Sequence, residues 1–86
     1  MARYDIEISA TAEKQIRKIP QKDQIAVFRR IQELATEPRP QGSRKLQGYD
    51  DVYRIRVRNY RILYSVEDKH LIIIILKVGH RRDVYR

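Results

Sequence analysis

An α+β fold is predicted, with a two-helix hairpin packed on one face of a small, mostly antiparallel sheet in the order β-α-α-β-β-β. Three observations predict it. Apolar residues recur twice at helical spacing between Ser9 and Pro38, strand-like runs fill the chain after Val52, and a Pro/Gly-rich stretch separates the two halves. At 86 residues and 42% hydrophobic content, the chain suits one domain over 1–86 with a modest core.

The elements follow in order. From Arg3 to Ile8, Tyr4, Ile6 and Ile8 alternate with Asp5 and Glu7, the pattern of a half-buried strand. Ser9 or Thr11 caps a helix carrying Ala12, Ile16 and Ile19 at i, i+4, i+7, which Pro20 ends. A second helix begins near Gln21 to Asp23, with Ile25, Phe28, Ile31, Leu34 and Ala35 as its apolar stripe, and stops at Glu37 and Pro38. Pro38 to Gly48, PRPQGSRKLQG, reads as a loop. VYRIRV, YRILYSV and LIIIILKV then form a three-stranded meander, broken at Arg58-Asn59 and at Glu67 to His70. The first strand is expected beside the last.

Composition narrows the function. No cysteine is present, which removes disulfides, thiolate metal sites and thiol nucleophiles and fits a reducing, cytoplasmic setting. The longest apolar run, Leu71 to Leu76, is far too short to span a bilayer, and the N-terminal residues do not form a signal peptide, so a soluble protein without a membrane partner is expected. No residue spacing suggests a metal, the glycines form no phosphate-cradling loop, and no base is arranged beside Ser9, Ser43 or Ser65. No cofactor is expected. The net charge of +8, with thirteen arginines against six lysines, points to a polyanion, and arginine's planar fork favours phosphate.

The charge has a predicted location. In an even-length hairpin centred on Arg58-Asn59, Arg56 faces Arg61 and Arg54 faces Leu63, while Tyr53, Ile55, Val57, Tyr60, Ile62 and Tyr64 share the core face. Like charges placed directly cross-strand destabilise a hairpin by tenths of a kcal/mol, and no Asp or Glu lies between Val52 and Ser65 to offset them. A bound phosphate is one compensation; arginines splayed into solvent are the other. An odd-length loop would disperse the cluster. The last strand, apolar on both faces, predicts a surface that the helices leave uncovered, to be met by a partner, by the C-terminal tail or by the chain's own loops. In the terminal VGHRRDVYR, Arg81 and Tyr85 join the arginine face if the tail folds back, and His80 is a candidate acid or base, although a lone His beside arginines is more often structural.

Three segments carry a family resemblance: RKLQG (Arg44 to Gly48), VYRIRVRNYRILY (Val52 to Tyr64) and VGHRRDVY (Val78 to Tyr85). In this order and spacing, over nearly the whole chain, the sequence resembles the RelE branch of the RelE/ParE toxin superfamily. The resemblance implies a RelE-like fold and the toxin of a toxin–antitoxin pair. It also implies a metal-independent, ribosome-dependent endoribonuclease that cleaves mRNA in the A site. There the 2′-hydroxyl attacks the adjacent phosphodiester, leaving a 2′,3′-cyclic phosphate and a 5′-hydroxyl. The family's two basic positions in the first meander strand fall on Arg54 and Arg56, its Tyr-Arg arginine on Arg61, its post-glycine arginine on Arg81 and its C-terminal tyrosine on Tyr85. Arg56, Arg61, Arg81 and Tyr85 are thereby implied as catalytic, with Arg54, His80 and Arg82 binding substrate.

One departure matters. The best-known members have lysines in that strand, whereas arginine does not release its proton, so neither Arg54 nor Arg56 can serve as general base. That role falls to Tyr85 or His80, or cleavage proceeds with weaker base assistance and a rate that depends on geometry. The implied partners are an acidic antitoxin wrapping the toxin, the ribosome and mRNA. A ParE-like gyrase inhibitor and a non-catalytic RNA-binding module are the competing readings.

Overall fold

A computed structural model describes residues 3–80, and Ser9 is where its first strand gives way to helix. Strand β1 (Asp5–Ile8) ends there, and the Ser9 hydroxyl accepts from the Ala12 amide at 3.1 Å, capping α1 (Ala10–Arg17). Of the two candidate caps, Ser9 is the one used. Pro20 then opens α2 (Gln21–Leu34), where its missing N–H costs nothing, and the Gln24 side chain donates to the Ile19 carbonyl at 2.9 Å to close the first helix end.

Five strands follow one another across the sheet as β1-β5-β4-β3-β2. The later ones are β2 (Arg44–Lys45), β3 (Val52–Val57), β4 (Tyr60–Glu67) and β5 (Ile72–His80). The first strand does lie beside the last, in parallel, and the other pairings are antiparallel. The predicted meander register holds: Arg56 faces Arg61, and Arg54 faces Leu63. Arg58 takes the left-handed conformation at the turn, φ 53°, which the two-residue connection requires.

Two expectations need correction. The segment Pro38 to Gly48 is not all loop, because Arg44 and Lys45 pair with Arg54 and Tyr53 as an edge strand. Two residues are too short to show a period, so composition alone hid it. The second helix buries Ile31, Leu34 and Ala35 as expected but begins its inner stripe at another residue. Val27, Ile31 and Leu34 face the core, while Ile25 is 56% and Phe28 41% exposed. Both stripes fit helical spacing, and the interior Val27–Ile31–Leu34 stripe is continuous with Ala12 and Ile16 of α1.

The core lies between the helices and one sheet face, built from Ile55, Ile62, Tyr64, Ile73, Ile75 and Val78 against the helical stripes. Strand β5 is not as bare on its other face as its sequence suggests, since Ile72, Ile74 and Leu76 are half-buried. It also contains an irregularity that repetition of apolar residues conceals. Leu63 pairs with Lys77 but Tyr64 with Ile75, which leaves Leu76 as an extra, bulged residue. Strict alternation from Ile73 and Ile75 would drive Lys77 into the core. The bulge turns Lys77 and Gly79 to the open face and returns Val78 to the interior.

A polar brace fastens the edge away from the arginines. Tyr4 donates to Asp68 at 2.6 Å, Arg39 donates to the same carboxylate at 2.8 and 3.3 Å, and the Arg39 Nε donates to Tyr53 at 2.9 Å. Asp23 does the same at the hairpin end, accepting from Arg58 at 2.9 Å and from Tyr60 at 2.8 Å. Both carboxyls are consequently held below the ordinary Asp value, Asp68 by Arg39 first and then Tyr4, Asp23 by Tyr60 first and then Arg58. A folded pKa below the unfolded one adds stability that is present above about pH 4 and lost as pH falls further. Asp23→Asn and Asp68→Asn are each expected to flatten that acid limb in a urea-midpoint titration between about pH 4 and 2.

No helix among the described residues is long and apolar enough to cross a membrane.

Candidate nucleic-acid interface

The face of the sheet opposite the helices is polarised. At one end, cross-strand pairing sets Asp5 beside Ile72 and Glu67, and Glu7 beside Ile74. At the other end it sets Arg44 beside Arg54, then Leu63 and Lys77 along the same row, with Arg56, Arg61 and Gly79 in the next row. Five basic residues therefore gather on one end of one face, and no acidic residue among those described sits in either row. The register fixes this pattern: Arg54 and Arg56 are two apart on β3 and so share a face, and the hairpin turn puts Arg61 directly across from Arg56.

Burial differs among the five. Arg44, Arg56 and Lys77 are exposed, whereas Arg54 and Arg61 are half-buried and the Arg61 Nε atom is inaccessible to solvent. A partly desolvated guanidinium is a stronger anion partner than one in open water, because fewer competing solvent dipoles screen it. Two like-charge pairs, Arg56/Arg61 and Arg44/Arg54, face each other directly across strands. Like charges directly opposite each other are less favourable than opposite ones by tenths of a kcal/mol. Beside them a cleft of about 360 Å³ is lined by Gly42, Arg44, Arg54, Ile55 and Arg56. A second, of about 520 Å³, continues past Arg44 and Arg54 to Lys45, Leu46 and Gln47.

Of the residues expected in the site, Arg54, Arg56 and Arg61 are brought together as anticipated. His80 is not brought to them. It pairs with Tyr60 and so projects on the helix side, where its ring lies 5.0 Å from the Tyr60 ring at 40°. The physical reason is the Leu76 bulge, which shifts the alternation of β5 by one residue before His80. Arg81, Arg82 and Tyr85 lie outside the described residues. Tyr60 is no substitute base: its hydroxyl donates to Asp23, and this bond, followed by burial, raises its pKa above the ordinary 10.0. Arg58, though in the same hairpin, is engaged by Asp23 at the turn.

Sequence reasoning missed Arg44 and Lys77 as members of this face. The RKLQG segment drew notice as a motif, but without a recognised β2 it had no face. Lys77 lay inside a run read as apolar on both sides, and its neighbour Leu76 disguised the bulge.

The family model described as the ParE toxin of type II toxin–antitoxin systems, parDE, matches residues 6–85. Toxin RelG of Mycobacterium tuberculosis is 31% identical over 84 residues, covering 96% of this chain and 97% of RelG. The mRNA interferase toxin RelE of Escherichia coli K12 is 29% identical over 86 residues, covering 95% and 90%. Among solved structures, the toxin–antitoxin complex RelBE2 from Mycobacterium tuberculosis contains a chain that superposes with a TM-score of 0.83 at 29% identity, covering 96% of this chain and 97% of that one.

Proposed function

The chain belongs to the ParE toxin family of type II toxin–antitoxin systems and is a toxin of RelE type, and from that premise we propose that it is a ribosome-dependent endoribonuclease cutting mRNA in the A site. The observation that carries this reading is the Arg56–Arg61 pair, set across strands on a face whose basic end includes Arg44, Arg54 and Lys77. Such a face matches the demand of phosphodiester cleavage by an internal nucleophile, where negative charge grows on the phosphoryl oxygens.

The proposed steps balance within the RNA. The ribose 2′-hydroxyl loses its proton to a base and its oxygen bonds to the adjacent phosphorus. The bond to the 5′-oxygen breaks, and a proton delivered to that oxygen completes a 5′-hydroxyl beside a 2′,3′-cyclic phosphate. Arg56 and Arg61 clamp the phosphate oxygens and strengthen their hold as charge develops, while Arg54 binds the backbone alongside. Arg81 stabilises the leaving oxygen, with Arg82 binding nearby. Tyr85 is assigned to proton handling or base stacking. It takes precedence over His80 because His80 lies against Tyr60 on the other side of the sheet. No arginine supplies the base.

Primer extension on a defined mRNA in a purified translation system tests this. Cuts that require ribosomes and fall within A-site codons are the expected result. Intact mRNA, or equal cutting of naked RNA, would overturn it. The match to a model named for ParE keeps one further outcome in view, inhibition of DNA gyrase. A supercoiling reaction run in parallel reads that directly.

The partner is proposed to be an acidic antitoxin segment that folds over the toxin, as suits a surface with net charge +8 and exposed Ile25 and Phe28. The RelBE2 structure is itself a toxin–antitoxin complex. Expression of this chain alone is expected to arrest growth, and co-expression with its acidic partner to restore it. Unimpaired growth with full-length soluble protein would count against the assignment.

A further inference from the structure

Asp23 stands in the first turn of α2, where a carboxylate is favoured by the helix N-terminus and needs no partner. Yet both of its oxygens are engaged across the layers: Oδ1 accepts from Arg58 Nη1 at 2.9 Å and Oδ2 from the Tyr60 hydroxyl at 2.8 Å. These two partners bracket the β3–β4 turn, and each adjoins an arginine of the basic face. Arg58 follows Arg56 by two residues, and Tyr60 precedes Arg61 by one. Arg58 also holds φ 53°, a left-handed conformation unfavourable for a residue other than Gly, so the ion pair steadies the turn that sets Arg56 opposite Arg61. Tyr60, 4% exposed, lies in register with His80 and has that ring 5.0 Å away, which extends the clasp to the last residue of β5, the one before Arg81. The Asp23 side chain is 22% exposed where that of Asp68 is 57%, so water screens the clasp less.

We propose that Asp23 is a positioning residue for RNA cleavage, holding Tyr60 and Arg58 so that Arg56 and Arg61 meet the scissile phosphate at the required distance. This rests on the nuclease reading. Asp23 and Tyr60 lie on the helix side of the sheet, so neither touches RNA bound on the other face. They act through the backbone, because Tyr60 and Arg61 are successive residues of one strand and a shift of one carries the other. Stabilisation of the transition state depends steeply on placement, since an error of about 1 Å can cost about a hundred-fold in rate. An Asp23 that served stability alone would behave like Asp68, whose carboxylate also accepts from one tyrosine and one arginine, but just past the other end of β4. Asp68 is therefore a matched control.

The test compares wild type, Asp23→Asn, Tyr60→Phe and Asp68→Asn in the purified translation system, under single-turnover conditions with the toxin varied over programmed ribosomes. Asp23→Asn and Asp68→Asn remove one acidic residue each, so the overall attraction to ribosomal RNA changes equally. Urea unfolding first fixes conditions in which every variant is folded. Asp23→Asn and Tyr60→Phe are expected to lower the saturating cleavage rate about ten-fold, with the half-saturating toxin concentration within about two-fold of wild type. The double variant should be no slower than the slower single, because both break one clasp. Asp68→Asn should keep the wild-type rate. A saturating rate for Asp23→Asn equal to that of Asp68→Asn, or a change confined to the half-saturating concentration, overturns the positioning role. Active wild type with either clasp variant fully active removes this role alone. Wild type that leaves mRNA intact removes the nuclease reading, and the positioning role with it.

Discussion

Arg61→Ala is expected to slow ribosome-dependent mRNA cleavage by about 10²–10³-fold, the usual loss when one preorganised donor to a developing oxyanion is removed. Arg61 is singled out within the basic face because it is half-buried, directly opposite Arg56, and next to Gly79, which contributes no side chain to the row. Its guanidinium is partly withdrawn from water, so it interacts more strongly with charge growing on phosphorus than a fully solvated one would. Single-turnover rates measured by primer extension, beside Arg29→Ala as a remote arginine, check the assignment. A loss no larger than that of the remote variant would remove Arg61 from the catalytic set. Urea unfolding run beside the activity assay separates a functional arginine from a structural one, since a variant that is inactive with an unchanged midpoint has lost chemistry and not fold.

The largest effect on stability is expected from Tyr64→Ala, about 3–5 kcal/mol, against a total of about 5–15 kcal/mol for a domain of this kind. Tyr64 is fully buried at the centre of β4, stacks on Tyr53 with ring centroids 5.9 Å apart, and donates its hydroxyl to the Pro38 carbonyl at 2.8 Å. Burial is the leading cause that pushes this phenol up to about 12, so it remains a donor throughout the ordinary pH range. Tyr64→Phe isolates the hydrogen bond from the packing. It should cost about 1–2 kcal/mol, chiefly by leaving the Pro38 carbonyl without its donor. Pro38 begins the segment that delivers Gly42 and Arg44 to the cleft. Urea unfolding of both variants reads the two contributions, and equal losses for Phe and Ala would show that packing of the ring contributes nothing.

Much of this molecule was legible without coordinates because its signals are local. The alternation of Tyr53, Ile55 and Val57 with Arg54 and Arg56, followed by a two-residue turn, determines the hairpin register, and register alone places Arg56 opposite Arg61. Pro20 and Pro38 delimit the helices for reasons of backbone chemistry that hold in any protein. The resemblance carried by the arginine-rich segments likewise pointed to the toxin family that the comparisons show.

Other features are decided only when the chain packs on itself. Val27 rather than Ile25 or Phe28 faces inward because the interior of α2 must meet α1 and the sheet, and helical spacing admits both phases. Strand β2 exists because Arg44 and Lys45 find a partner edge in β3, a long-range pairing that two residues cannot announce. The bulge at Leu76 is hidden in a run of apolar residues that reads the same in either phase, yet it carries Lys77 to the basic face and His80 away from it. The sequence alone determined the hairpin, its arginine pair and the family. The tertiary structure decided which further charges join that pair, because a side chain's face depends on which neighbouring strand its backbone meets.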